Sequence, residues 1–418
     1  MKTVPLRHLT RINTRVLPEN TASEHTFKYI DISQVDSNGA LSLPDEDVSF
    51  GEAPSRARRL ASAGDTVVST VRTYLRAITR VPVTSERLVV STGFAVLEPV
   101  EIESRFLTYA CRSEPFVAEV VARSTGVSYP AINPSDLVSI ALPVPEAQEQ
   151  RRIADFLDDR VARIDRIIAA RRDQMEQVGA ASLRASFDTV RGSSSRERRP
   201  SGVSWLGTIP RDWALLSVTS EFQVDLGKML DEKQQTGLYA IPYLRNTNVQ
   251  WDRVDLDDLK SMDIAPDERP RYMVERGDLL ICEGGQPGRA AIWCGGLEPL
   301  GYQKALHRAR SRGRSRPDWL LECLRAATAM NVFAVEYEQA TISHLTNEQL
   351  RSFKIPCPEP QVQDELLSEL RITQEWARSA LVGLARSIDL LSEYKQSLIT
   401  AAVTGELGMT TTGSGIPE

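Results

Sequence analysis

Histidine is scarce in this chain, four in 418 residues, and cysteine is nearly as rare at five. His8, His25, His307 and His344 never fall at ligand spacing. Cys111, Cys282, Cys294, Cys323 and Cys357 are odd in number and contain no Cys-x-x-Cys, which argues against a structural metal and a disulfide framework. No two prolines are adjacent, so the Asn/Asp-Pro-Pro-Tyr loop with which an amino methyltransferase grips a flipped base is missing. No Gly-x-Gly-x-x-Gly follows a strand-like run and no Gly-x-x-x-x-Gly-Lys-Ser/Thr occurs. Carboxylates abound, yet nothing pairs them as an acid and a base. No stretch approaches the roughly 20 apolar residues of a membrane span. The opening "MKTVPLRHLTRINTR" lacks the apolar centre of a signal peptide, so the expected location is the cytoplasm. Net positive charge is lacking too: 50 Lys plus Arg against 56 Asp plus Glu give −6, the wrong sign for an autonomous polyanion binder.

What the chain does have is itself, twice. Residues 58 to 152 and 271 to 365 follow one pattern at a constant offset of 213. Gly64-Asp65 falls on Gly277-Asp278, Arg58 on Arg271, Phe106 on Trp319 and Leu137 on Leu350. "LPVPEAQEQ" lies on "IPCPEPQVQ", so that Pro143 and Pro356, Pro145 and Pro358, Gln148 and Gln361, and Gln150 and Gln363 coincide. Each pair alone is ordinary turn chemistry; their agreement at one offset predicts duplicated globular modules with pseudo-two-fold symmetry, two copies being too few for a solenoid. A length of 418 residues with 41% hydrophobic and 25% charged composition suits two or three globular domains.

Each copy runs into a long amphipathic segment. Ile153, Leu157, Val161, Ile164, Ile168, Met175 and Val178 recur in steps of three and four and predict a helix of about 35 to 40 residues, about 55 Å long. Leu366, Leu370, Thr373, Ala377, Leu381, Leu384, Ile388, Leu391, Leu398 and Ala402 keep a near-heptad stripe in the second. That length asks for a partner helix, and the two are expected to pack on each other rather than each on its own module alone. Ahead of each come short β-type runs such as "DTVVSTV" and "GDLLICEGG", then a helical stretch, giving an α/β (α+β) module of roughly 140 to 150 residues. The expected division is a first module over 1–145, a helix over 146–190, a linker over 191–203, a second module over 204–358, a helix over 359–407 and a disordered tail over 408–418.

Candidate contact residues are local. Arg56 and Arg58, with Arg72, Arg76 and Arg80, and Arg308, Arg310 and Arg312 in "HRARSRGRSRP" form Arg clusters able to grip phosphate or guanine, or simply to make a solvated face. "YLRNTNVQ" brings Arg245, Asn246 and Asn248 together, Arg suited to guanine and Asn to adenine. "ATISHL" contributes Thr341, Ser343 and His344, with Ser128 and Tyr129 of "TGVSYPAINPSDL" in register, while turn chemistry and capping would explain the same residue types. Lys228 and Gln286 complete the set. Gln286 sits in "EGGQPGRA", which reads as a tight strand connection rather than an anion loop because no suitable helix follows.

With these segments in view the chain resembles the specificity subunit of a Type I restriction-modification system. "WLGTIPRDWALLSV", "YLRNTNV", "RGDLLICEGGQPGRAAIW", "QKALHR" and "TISHLTNEQLRSFKIPCPEPQVQDEL" carry the resemblance in the second half. "LVSIALPVPEAQEQRRIADFLDDRVARID" and the terminal "YKQSLITAAVTGEL" carry it elsewhere. The first copy departs, with "YIDISQV" in place of "YLRN" and no Trp-x-Gly-x-Ile-Pro lead-in. The resemblance implies two target recognition domains held apart by two antiparallel coiled-coil helices, each reading half of an asymmetric, interrupted site in double-stranded DNA. It also implies a non-catalytic chain without a cofactor of its own. Two modification subunits would bring S-adenosylmethionine and the adenine methyltransferase site, and restriction subunits the ATP-dependent cleavage. Partners that enclose the DNA would account for the acidic charge. A protein-binding scaffold built on the paired helices, or a stand-alone DNA-binding protein, stays open as an alternative.

Overall fold

A computed structural model describes residues 2–84, 87–230, 235–335 and 344–407. The chain divides into two compact units, one of residues 1–172 with 384–418, the other of residues 173–383. In the first, a four-stranded antiparallel sheet has the order Thr10–Ile12, Phe94–Pro99, Thr66–Ser69, Ile78–Arg80. A second sheet runs Val48–Ser49, Thr26–Ile30, Leu88–Ser91, Ala57–Ala61, and its two middle strands are parallel. In the second unit the antiparallel sheet has the order Phe222–Leu226, Leu306–Ser311, Leu279–Cys282, Ala290–Ile292. Its companion runs Lys260–Asp263, Ala240–Leu244, Gly301–Tyr302, the last two again parallel. One topology is thus built twice.

The apolar runs "TVVS" and "LLIC" lack the alternation of a half-exposed strand because both faces are covered. Side chains alternate across a strand, so Val68 and Leu97 join the cluster under the helices while Val67 and Val96 join the one facing the second sheet. In the second unit Leu279 and Ile281 face the helices, and Leu280 and Cys282 the other side. Phe106 and Trp319, one offset apart, are both fully buried at the centre of their clusters.

The repeat extends to individual hydrogen bonds. Gln150 accepts from the Glu103 amide at 2.8 Å and donates to the Pro145 carbonyl at 2.9 Å. Gln363 accepts from the Arg316 amide at 2.9 Å and donates to Pro358 at 2.8 Å. Each buried glutamine therefore clasps the first turn of a long helix to the residue that begins the module's own helix, Ser104–Arg112 or Pro317–Ala329. The Gly-Asp pairs are turns, as their residue types imply. Gly64 and Gly277 have φ of 89° and 93°, and Asp65 and Asp278 accept the amides of Ser62 and Glu275 at 2.7 Å.

The long helices are Ala147–Val190 and Pro360–Thr404, 44 and 45 residues, about 66 Å each at 1.5 Å per residue. The first exceeds the expected 35 to 40 residues because its stripe continues through Phe187 and Val190 into the core of the second unit. In the first unit Leu398, Ile399, Ala402 and Val403 pack with Ile153, Leu157 and Val161 and with the module itself. Lys395 there donates to Asp165 at 2.7 Å, and in the second unit Gln374 donates to Ser186 at 3.3 Å. The 21 residues forward from Asp165 to Ser186 match the 21 back from Lys395 to Gln374, the register of an antiparallel pair. The segment read as a linker is also structured: Arg198–Pro200 pairs with Thr208–Pro210, because Arg198 donates to the carbonyls of Arg191, Gly192 and Thr208.

Gln363→Ala leaves the Arg316 amide and the Pro358 carbonyl without their buried partner and should cost about 1–3 kcal/mol. Denaturant unfolding of the purified chain should show that loss in the second unit, and Gln150→Ala the same loss in the first.

Candidate functional site

In the first unit the parallel strands Thr26–Ile30 and Leu88–Ser91 end on one edge and deliver two turns side by side. The first, Ile32–Gln34, is closed by its own side chains: Gln34 accepts from the Asp31 amide at 2.8 Å and Asp31 from the Ser33 amide at 2.8 Å. The second carries Thr92 and Gly93, tied to the loop after Thr66–Ser69 through Thr70 N to Gly93 O at 2.8 Å and the Thr70 hydroxyl to the same oxygen at 2.9 Å. A fourth loop, residues 124–131, is held by Ile132 N to Thr70 O at 2.9 Å and by Arg72 N to Pro130 O at 2.8 Å. Together they line a cleft of about 690 Å³ with Asp31, Ser33, Arg56, Arg72, Thr92 and Tyr129 on its walls. Arg56 donates to the Tyr29 hydroxyl at 3.1 Å and to Asp31 at 3.2 Å, and the hydroxyl contact first, then Asp31, raises its pKa.

The second unit repeats this skeleton with other side chains. Asn248 accepts from the Arg245 amide at 3.0 Å, as Gln34 does from Asp31. Leu345 N to Glu283 O at 2.7 Å reproduces Ile132 N to Thr70 O, and Glu283 N to Ala305 O at 3.0 Å reproduces Thr70 N to Gly93 O. Asn246 lies by Gly285, and the His344 ring sits where a side chain on Gly284 would come within 3.1 Å of Nδ1. A Cβ on Gly227 would collide with the Gln303 carbonyl, so glycine there lets Lys228 reach this edge. Lys228 pairs with Glu268 and lowers that carboxyl's pKa.

The sequence candidates therefore separate. Arg56, Arg72 and Tyr129 converge on the first cleft, with Ser128 exposed on the loop beside them. Arg58 is instead laid over Phe50 at 4.7 Å. In the second unit Lys228, Asn246 and His344 share the corresponding edge with exposed Gln286, whose glycine-rich segment connects two antiparallel strands as expected. Arg245 reaches the same turn but is bound to Asp258 at 2.7 Å. Asn248 is corrected from a base reader to a buried cap, since its carboxamide is spent on Arg245 N and Asp255 O. Arg308 is corrected as well: its side chain is 0% exposed, paired with Asp225 and packed on Tyr302, out of reach of a phosphate. Arg310 is held by Asp278 and Glu275, leaving Arg312 exposed at the far end of the strand. Thr341 and Ser343 lie outside the described residues. Asp31, Ser33, Ser91 and Thr92 escaped the sequence reading; the Tyr-x-x-x-x-Gln/Asn-Val spacing common to "YIDISQV" and "YLRNTNV" was the signal that could have found the first two.

His307 anchors the second loop cluster by donating to the Leu345 carbonyl at 2.7 Å, and burial pushes its pKa below the usual 6.5. A base whose folded pKa is depressed keeps its stability above its unfolded pKa and loses it as pH falls. Below roughly pH 6.5 the second unit should weaken, and His307→Gln should flatten that part of the pH–stability profile; an unchanged profile would place the acid sensitivity elsewhere.

Residues 14–177 match the family model described as the Type I restriction modification DNA specificity domain. The chain is 23% identical over 323 residues to the Type I restriction enzyme EcoKI specificity subunit of Escherichia coli (strain K12), covering 75% of this chain and 68% of the relative. Its fold is similar to a chain solved in a study of complex assembly and conformational transition of the type I R-M system, with TM-score 0.74, 20% identity, and 97% and 98% of the two chains covered. It is also similar to the HsdS subunit from Thermoanaerobacter tengcongensis, with TM-score 0.51, 22% identity and 97% of each chain covered. Among the described residues no helix is long and apolar enough to cross a membrane, and no group of His, Cys, Asp and Glu could hold a metal ion. Family model, curated relative and twice-built fold agree in what the chain is similar to, the specificity subunits of Type I restriction-modification systems.

Proposed function

We propose that this chain is the DNA sequence-recognition subunit of a Type I restriction-modification complex, each module reading one half of a bipartite, asymmetric site. The observation that carries this reading is the pair of loop clusters: one hydrogen-bonded skeleton built twice, lined by Asp31, Ser33, Arg56 and Arg72 in the first unit and by Arg245, Asn246, Lys228 and Gln286 in the second. Shared geometry with different donors and acceptors is what reading two different short sequences requires.

On this reading the chain does no chemistry itself. Two modification subunits supply S-adenosylmethionine and transfer the methyl group to adenine, and restriction subunits supply ATP-dependent translocation and cleavage. The long helices set the separation of the half-sites and offer partners a surface. The acidic net charge leaves much of the phosphate neutralisation to those partners.

The purified chain alone should transfer no methyl group and bind DNA weakly. Co-expressed with its modification subunit it should form a complex with two modification chains and bind one bipartite sequence; methyl transfer by the chain alone would end this reading. In that complex Asn246→Ala should cost about 1–3 kcal/mol on the specific site and relax preference at one position of one half-site. Inserting about four residues near Ala169 should lengthen the unread spacer by roughly one to two base pairs, since one helical turn adds about 5.4 Å. Altered half-site bases with an unaltered spacer would contradict the helical ruler.

A further inference from the structure

We infer that Arg72 is a specificity-determining residue of the first module, a guanidinium pre-set on Tyr129 to fork onto guanine in one half-site. The first observation is conformational. Five described residues other than glycine have positive φ: Asn13, Asp252, Asn331, Arg72 and Arg76. Asn and Asp tolerate the left-handed region through their short polar side chains, and arginine does not. Both arginines flank a single turn, Thr73–Leu75, with φ of 50° at Arg72 and 54° at Arg76. The corresponding loop of the second module opens and closes on Gly285 and Gly288, with φ of 77° and 87°. Where one module uses the two residues best suited to that backbone, the other retains two long cations.

Arg76 has an internal reason to be there: it binds Glu114 through both nitrogens, at 2.7 and 2.9 Å. Arg72 has none. Its guanidinium lies 5.0 Å from the centroid of the Tyr129 ring and forms no hydrogen bond or ion pair with a described residue. This contrasts with Arg56, Arg105, Arg308 and Arg310, each held by a carboxylate. Tyr129 is itself 66% exposed, on a loop tied to Arg72 through the 2.8 Å bond from Arg72 N to Pro130 O. A strained backbone that places an unpaired, stacked cation at the mouth of the cleft is explained by what the cation meets outside the chain.

The cleft chooses a base over a phosphate. The Asp31 carboxylate shares its wall, where it repels a phosphate and accepts from an exocyclic amine such as cytosine N4. A planar guanidinium with its edge free matches the paired acceptors O6 and N7 of guanine. Arg72 and Asp31 together suit a G·C pair.

This inference rests on the DNA-reading function proposed above, and the test separates the two. The complex of the full chain with its modification subunits is titrated against its mapped site and every single-base variant of that site. The variants are Arg72→Gly, which suits the backbone, and Arg72→Lys, which keeps the charge. Arg72→Gly should unfold at the same or a higher temperature yet bind the mapped site about ten- to a hundredfold more weakly and lose discrimination at one G·C position. Arg72→Lys should recover part of the affinity without the discrimination. Equal losses on all sequences would make Arg72 a phosphate contact and overturn the inference, as would a variant that keeps its selectivity or one that loses thermal stability along with binding. A wild-type complex with no sequence preference would overturn the DNA-reading function as well.

Discussion

Each module depends on one buried glutamine. Gln150 and Gln363 satisfy a helix-starting amide and a proline carbonyl at once, and they sit where a long helix leaves its module. Backbone groups at such a junction have no helical partner of their own and are costly to bury unpaired. The Pro-x-Pro before the helix removes one donor per proline and holds the chain extended, and the glutamine supplies what remains. A rigid exit from the module gives the loop clusters at the other end of the sheets a fixed frame.

Charge is distributed by the same logic. The chain carries 50 basic residues, yet many are consumed internally: Arg105 by Glu103, Asp155 and Asp158, Arg308 by Asp225, Arg310 by Asp278, and Arg316 by Asp364. These pairs hold loops to sheets and helices to modules. At the candidate interface Arg72 has no carboxylate partner among the described residues, while Arg56 is paired with Asp31 and Lys228 with Glu268. Such a surface favours selection among sequences over strong general attraction to a polyanion.

The sequence was most legible where a constraint repeats. The offset of 213 returned the paired glutamines, the Gly-Asp turns and the Phe106/Trp319 position, because identical packing demands recur at identical spacing. The helical stripes were legible for the same reason. The Arg-rich run 307–317 was not, since a list of arginines hides which of them a strand buries: His307 and Arg308 are fully buried, held by the Leu345 carbonyl and by Asp225, both distant in sequence. Asn248 misled because a carboxamide that caps a turn and one that reads adenine look alike in sequence. "YIDISQV" resisted alignment with "YLRNTNV" because what they share is a hydrogen bond from the amide of the turn's first residue to the side chain of its fourth, Gln34 in one and Asn248 in the other.

The central claim is that the chain is one reader built twice, with the loop clusters alone deciding what each copy reads. It is tested most directly by replacing the second module, residues 204–358, with a second copy of the first, residues 1–145, and mapping methylated adenines in cells that also express the modification subunit. The account predicts that the asymmetric site becomes an inverted repeat of the half-site read by the first module. Retention of the original asymmetric site by a folded, assembled complex would contradict it.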